Sequence, residues 1–73
     1  MSQDQRRRGP VRLVGDVAFH AKVAIRSAEA AAGKLRDDER AAAVHLRRRA
    51  EALLAEAEQL EDRLRKAKEA RTA

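Results

Sequence analysis

The side chains able to do chemistry are few and scattered. Two histidines (His20, His45), two serines (Ser2, Ser27) and no cysteine make up the candidates for nucleophile and general base. A hydroxyl nucleophile needs a base within hydrogen-bond reach. Neither serine has a histidine three or four residues away, the spacing that shares one helical face. Two separated histidines without thiolates fall short of the three or four ligands that zinc takes. The sequence has no Glu-x-x-His pair, no glycine-rich phosphate loop and no nucleophile elbow. The carboxylates between residues 51 and 62 have Arg or Lys on both sides and read as solvated helix charges. The expectation is a non-enzymatic protein with no catalytic, metal-binding or cofactor-binding residues and no small-molecule substrate.

Arginine is the one chemistry-bearing residue in quantity. Arg6-Arg7-Arg8 and Arg47-Arg48-Arg49 form two runs, and Lys22 and Arg26 sit one helical turn apart. These eight residues are candidate contacts to a phosphate backbone. Against that chemistry stand the absence of Trp and Tyr, with only Phe19 to stack on a base, and the acids Glu51, Glu56, Glu58, Glu61 and Asp62. Net charge is +5, but residues 1–12 alone carry +3, so the remainder is close to balanced. Bases at 47–49, acids between 51 and 62, and then Arg63, Arg65, Lys66, Lys68 and Arg71 form alternating blocks that can set register between helices.

These residues must be positioned by a very small chain. Of 73 residues 17 are Ala, which leaves only 15 large apolar side chains to build a core. A core of that size gives little margin over chain entropy. No apolar run approaches the roughly 20 residues of a membrane span, and the polar segment after Arg8 does not suit a signal peptide. The absence of cysteine fits a cytoplasmic location.

Residues 1–10 read as a disordered basic arm ending in Gly9-Pro10. From Val14 the apolar period is helical: Val14, Val17, Ala21, Ala24, Ala28, Ala31 and Leu35 alternate three- and four-residue steps. Ala43, Leu46, Ala50, Leu53, Ala57, Leu60, Leu64 and Ala67 repeat the pattern. The spacing predicts helices over about 11–32 and 38–70, with residues 71–73 frayed. Gly33 stands where a left-handed C-terminal cap favours glycine, and Asp37, Asp38 and Glu39 stand where a helix start favours acids. The fold expected is all-α, an antiparallel coiled-coil-like helical hairpin over 11–70; one continuous helix with a skip residue is the alternative.

Folding the chain so that paired numbers sum to 74 brings the two seams together, with Ala21 against Leu53 and Ala28 against Leu46. Every layer then contains an alanine, which permits close helix approach. That register leaves Ala18, Ile25 and Leu54 as a flanking stripe, and Phe19 and Val23 on the far side of the first helix. Those five residues are the expected partner interface, covered by a second hairpin in a four-helix bundle or by another helical protein. Over about residues 14–67 the alanine-layered pair resembles in architecture the plasmid repressor-of-primer proteins, RNA-binding hairpins that dimerise. The resemblance implies an RNA partner and assigns no residues. The leading expectation is a small adaptor acting through coiled-coil pairing with itself or a partner. The alternative is a basic regulatory protein that binds RNA or DNA.

Overall fold

The computed structural model describes residues 9–72. Two helices account for nearly all of them: α1, Pro10–Lys34, and α2, Asp37–Thr72. They pack against each other as a hairpin, with no strand among the described residues. Pro10, expected in the arm, instead opens α1, and α2 continues to Thr72 through most of the stretch expected to fray. Arg6, Arg7 and Arg8 lie outside the described residues.

The start of α1 follows from its sequence. Pro10 takes the first turn, where its missing N–H leaves no bond unmade. Gly9 precedes it in extended conformation, and the Leu13 N–H donates to the Gly9 carbonyl at 3.1 Å. The turn between the helices differs from expectation. No glycine among the described residues has a positive φ, so Gly33 is not a left-handed cap. α1 runs past it to Lys34, and the Leu35 N–H donates back to the Ala32 carbonyl at 3.4 Å. Gly33 keeps helical backbone with negative φ, and Leu35, just past the helix end, is half-buried. The left-handed residue is Asp37, at φ 54°, a residue type that tolerates that region better than most. Asp37, Asp38 and Glu39 form the first turn of α2, where their charge complements the helix dipole.

The Cα trace measures 54 × 28 × 12 Å. Its length is what the 36 residues of α2 span at about 1.5 Å each. α1, with 25 residues, covers about two thirds of that length and leaves the end of α2 overhanging.

The seam between the helices is built on alanine. Ala18, Ala21, Ala43, Ala50 and Ala57 are the buried apolar residues, and Ala21 retains only 1% of its surface. Among the described residues no large side chain is fully buried. Half-buried positions extend the seam at three- and four-residue steps: Val11, Val14, Ile25, Ala28 and Ala32 on α1, Leu35 just past its end, and Arg47, Leu54, Glu61 and Leu64 on α2. Antiparallel alignment sets Ala18 level with Ala57, Ala21 with Leu54, Ile25 with Ala50 and Ala32 with Ala43. Each layer again carries at least one small residue, so the backbones approach closely.

This seam is not the one that apolar spacing alone suggests. Positions 14, 21 and 28 of α1, 35 just past its end, and 43, 50, 57 and 64 of α2 serve in both. The second strip differs: Ala18, Ile25 and Ala32 replace Val17, Ala24 and Ala31, while Arg47, Leu54 and Glu61 replace Leu46, Leu53 and Leu60. Each helix has three inward-capable positions in every seven, such as Ala50, Leu53 and Leu54. A two-helix pair covers only two strips of such a face, and the third strip stays outside.

Candidate interaction face

Two contacts establish which edges of the seam meet. Arg47 Nη1 lies 3.8 Å from Glu29 Oε2. A Cβ at Gly15 would stand 3.4 Å from Glu61 Oε2, so that carboxylate lies beside Gly15. Gly15, Lys22 and Glu29 follow one another at heptad spacing along one edge of α1, and Arg47, Leu54 and Glu61 do so on α2. These edges share one broad side of the hairpin. The opposite edges, Val17–Ala24–Ala31 and Leu46–Leu53–Leu60, therefore share the other broad side.

That second side is an apolar face. Leu46, Leu53 and Leu60 are 57%, 46% and 44% exposed, and Val17 is 42% exposed. The leucines recur every seven residues, about 10.5 Å along the helix. Between the leucine row and the Val17–Ala31 row lies a floor of Ala21, Ala28, Ala43, Ala50 and Ala57. Small residues below and leucines along one wall form the shallow groove into which another helix packs side chains. Leu13 extends the face near the start of α1, and Arg49, Glu56 and Arg63 line its outer edge on α2 by spacing.

The five residues expected to form a partner interface divide into two sets. Ala18 is buried and Ile25 and Leu54 are half-buried between α1 and α2. The hairpin already covers Ala18, which removes it from an outer interface, while Ile25 and Leu54 are half-covered, as a flanking stripe would be. Phe19 and Val23 are exposed on the outer surface of α1, where the Phe19 ring meets that of His20 edge-on at 5.5 Å. Apolar spacing alone places the leucine row inside the seam and so does not point to this face. The signal that locates it is the third apolar position in each heptad. The charges at Arg47 and Glu61 obscured that signal by making their strip look like a solvent face.

The basic residues do not act as one group. Lys22, Arg26 and Arg48 are exposed on the side opposite the leucine row. Arg47 is half-buried at the seam beside Glu29, with its Nε enclosed and lacking a hydrogen-bond partner. Arg49, the third of the run, is exposed on the leucine side. Acids Glu51 and Glu58 stand by spacing on the same side as Lys22. Farther along α2, Arg65 reaches Glu61 at 3.4 Å and Lys66 reaches Asp62 at 3.0 Å, each pair four residues apart on the helix.

A cleft of about 760 Å³ opens at the free end of the hairpin, with Pro10, Val11 and Gly15 on one wall and Leu64, Ala67 and Arg71 on the other. No serine or histidine lines it, and of its two carboxylates, Asp16 and Glu61, the second is engaged by Arg65. Among the described residues no group of three His, Cys, Asp or Glu is placed to hold a metal ion. No described helix is long and apolar enough to cross a membrane. No protein-family model, curated protein or solved structure matches the chain.

Proposed function

We propose that the chain is a non-enzymatic helical interaction module that works by presenting the Leu46–Leu53–Leu60 face to another helix or helix pair. One observation carries this reading. The hairpin leaves three leucines in heptad register partly exposed, beside a floor of alanines. Covering apolar surface is favourable by about 25 cal/mol per Å², and a contiguous exposed apolar patch on a small protein marks an interaction site. The serine and histidine side chains support the same reading: His45 lines a shallow depression with Asp37, Arg40 and Arg48, and neither Ser27 nor His20 joins it.

Contact with a phosphate backbone is the second reading, and Lys22, Arg26 and Arg48 on one side favour it. The Glu29–Arg47 pair and the nearby Glu51 and Glu58 weigh against it, since they dilute the positive field that such binding requires.

The test is affinity capture from the native host with the wild-type chain and with Leu53→Asp, each with and without nuclease. Together with the solution mass of the chain, it covers pairing with another protein and pairing with itself. Partners or self-association lost in Leu53→Asp and indifferent to nuclease support the module. Capture that survives Leu53→Asp but disappears with nuclease transfers the function to the basic residues. Neither capture nor self-association dependent on Leu53 ends the proposal.

A further inference from the structure

From the sizes of the side chains on the apolar face, and resting on the interaction reading above, we infer that its occupant is a second copy of this chain, related by a two-fold axis parallel to the helices.

The face is self-complementary in only one way that fills space evenly. A two-fold axis along the helices sets α1 of one copy over α2 of the other at unchanged height. Val17 then meets Leu60 of the second copy, Ala24 meets its Leu53 and Ala31 meets its Leu46. In each layer a small residue faces a large one, and the same three pairs recur by symmetry. A two-fold axis across the helices gives the opposite result. It stacks the leucine row on itself along one side and Val17, Ala24 and Ala31 on themselves along the other. One side would be held apart by leucines while the other gaped, and voids of that kind forfeit packing.

Extent and charge agree with the first arrangement. Along the 25 residues of α1 the face is about 37 Å long. Two helices of about 10 Å each make it about 20 Å wide. Covering it removes on the order of 700 Å² from each copy, close to the roughly 800 Å² per partner of a standard specific interface. At the rims, Leu13, His20 and Ser27 of one copy come level with Arg63, Glu56 and Arg49 of the other, so no like charges are opposed. Every neighbouring pair of helices in the resulting four-helix bundle runs antiparallel, the usual arrangement of up-down bundles.

The chain has no cysteine, so single engineered thiols report the arrangement directly. Ala24→Cys and Leu53→Cys change exposed positions of helices and leave the seam intact. Each variant is oxidised alone, and both are oxidised after unfolding and refolding together, with helicity checked by circular dichroism. Sedimentation equilibrium of the wild-type chain gives the mass. A mass of two chains, with a disulfide-linked dimer formed in the mixture and not by either variant alone, is the expected result. A dimer in which each variant links to itself, or in which nothing links, overturns the proposed axis. A monomer at every concentration overturns self-association. If that monomer still captures a protein from the host through Leu53, the interaction reading stands without this inference.

Discussion

Leu53 and Leu54 are neighbours in the chain and belong to two different surfaces. Leu54 is half-buried in the seam, level with Ala21, whereas Leu53 is 46% exposed on the opposite edge of α2. The two residues therefore separate folding from association. Leu54→Ala should lower the stability of the hairpin by about 1–2 kcal/mol, below the 2–5 kcal/mol of a fully buried leucine because part of its surface is already wet. Leu53→Ala should change an isolated hairpin by less than about 0.5 kcal/mol, the usual range for a surface position. In an associated state the same Leu53 substitution should instead make the melting temperature depend on protein concentration at lower dilution. Thermal unfolding of both variants over a range of concentrations distinguishes the two roles.

Ala21 is the tightest point of the structure, with 1% of its surface exposed. Close approach of the helices depends on the absence of anything larger there. Ala21→Leu should cost about 1–3 kcal/mol through overpacking, even though it adds apolar area and a good helix former. Ala30→Leu, on the exposed side of the same helix, should lie within about 0.5 kcal/mol of wild type. Denaturant unfolding of the pair provides the comparison, and equal stabilities would show that alanine at the seam does not determine the spacing.

How far the sequence reveals the structure differs from element to element. Both helices are legible within a few residues, because three apolar positions in every seven leave no other regular structure open. The four-residue ion pairs of Glu61 with Arg65 and Asp62 with Lys66 are legible for the same reason, since spacing alone brings them together. The face of each helix that turns inward is not legible. Val14, Val17 and Ala18 offer two seams of similar hydrophobicity, and the choice depends on how Ile25, Leu54, Glu61 and Arg47 fit across the pair. Hydrophobic counting favours Leu60 over Glu61 at the seam. It has no way to register that the Glu61 carboxylate comes to lie beside Gly15, or that Glu29 stands within 3.8 Å of Arg47. The candidate site is the strip that lost that competition, so it became visible only with the seam.

Gly33 offers a test of the turn. As a left-handed cap it would resist any side chain, and Gly33→Ala would destabilise by about 1 kcal/mol or more. It is instead an ordinary helical residue with negative φ and open space around its Cα. Gly33→Ala should therefore stabilise the hairpin by about 0.4–1 kcal/mol, mainly by restricting the unfolded chain. Gly15→Ala should behave similarly, since its Cβ would meet Glu61 at an ordinary contact distance of 3.4 Å. A rise in melting temperature for both variants is expected, and a fall for Gly33→Ala would return the residue to the role of cap.

Arg47 carries a charge into a seam that is otherwise largely apolar. Its ion pair with Glu29 is long, at 3.8 Å, and Glu29 is 53% exposed, so solvent screens most of the attraction. Its Nε is enclosed without a hydrogen-bond partner, a cost that the ion pair does not offset through that atom. Arg47→Met keeps the long unbranched stem that fills the layer beside Ala28 and removes the unsatisfied donor. The substitution should leave stability unchanged or raise it by about 1 kcal/mol, as replacement of part-buried ionic groups by apolar ones of similar volume often does. Glu29→Gln should cost no more than about 0.5 kcal/mol, and a double-mutant cycle of the two should give a coupling below about 1 kcal/mol. A large coupling, or a clear loss in Arg47→Met, would instead assign to Arg47 a part in setting the register. The leucine row would then owe its exposure to that one ion pair.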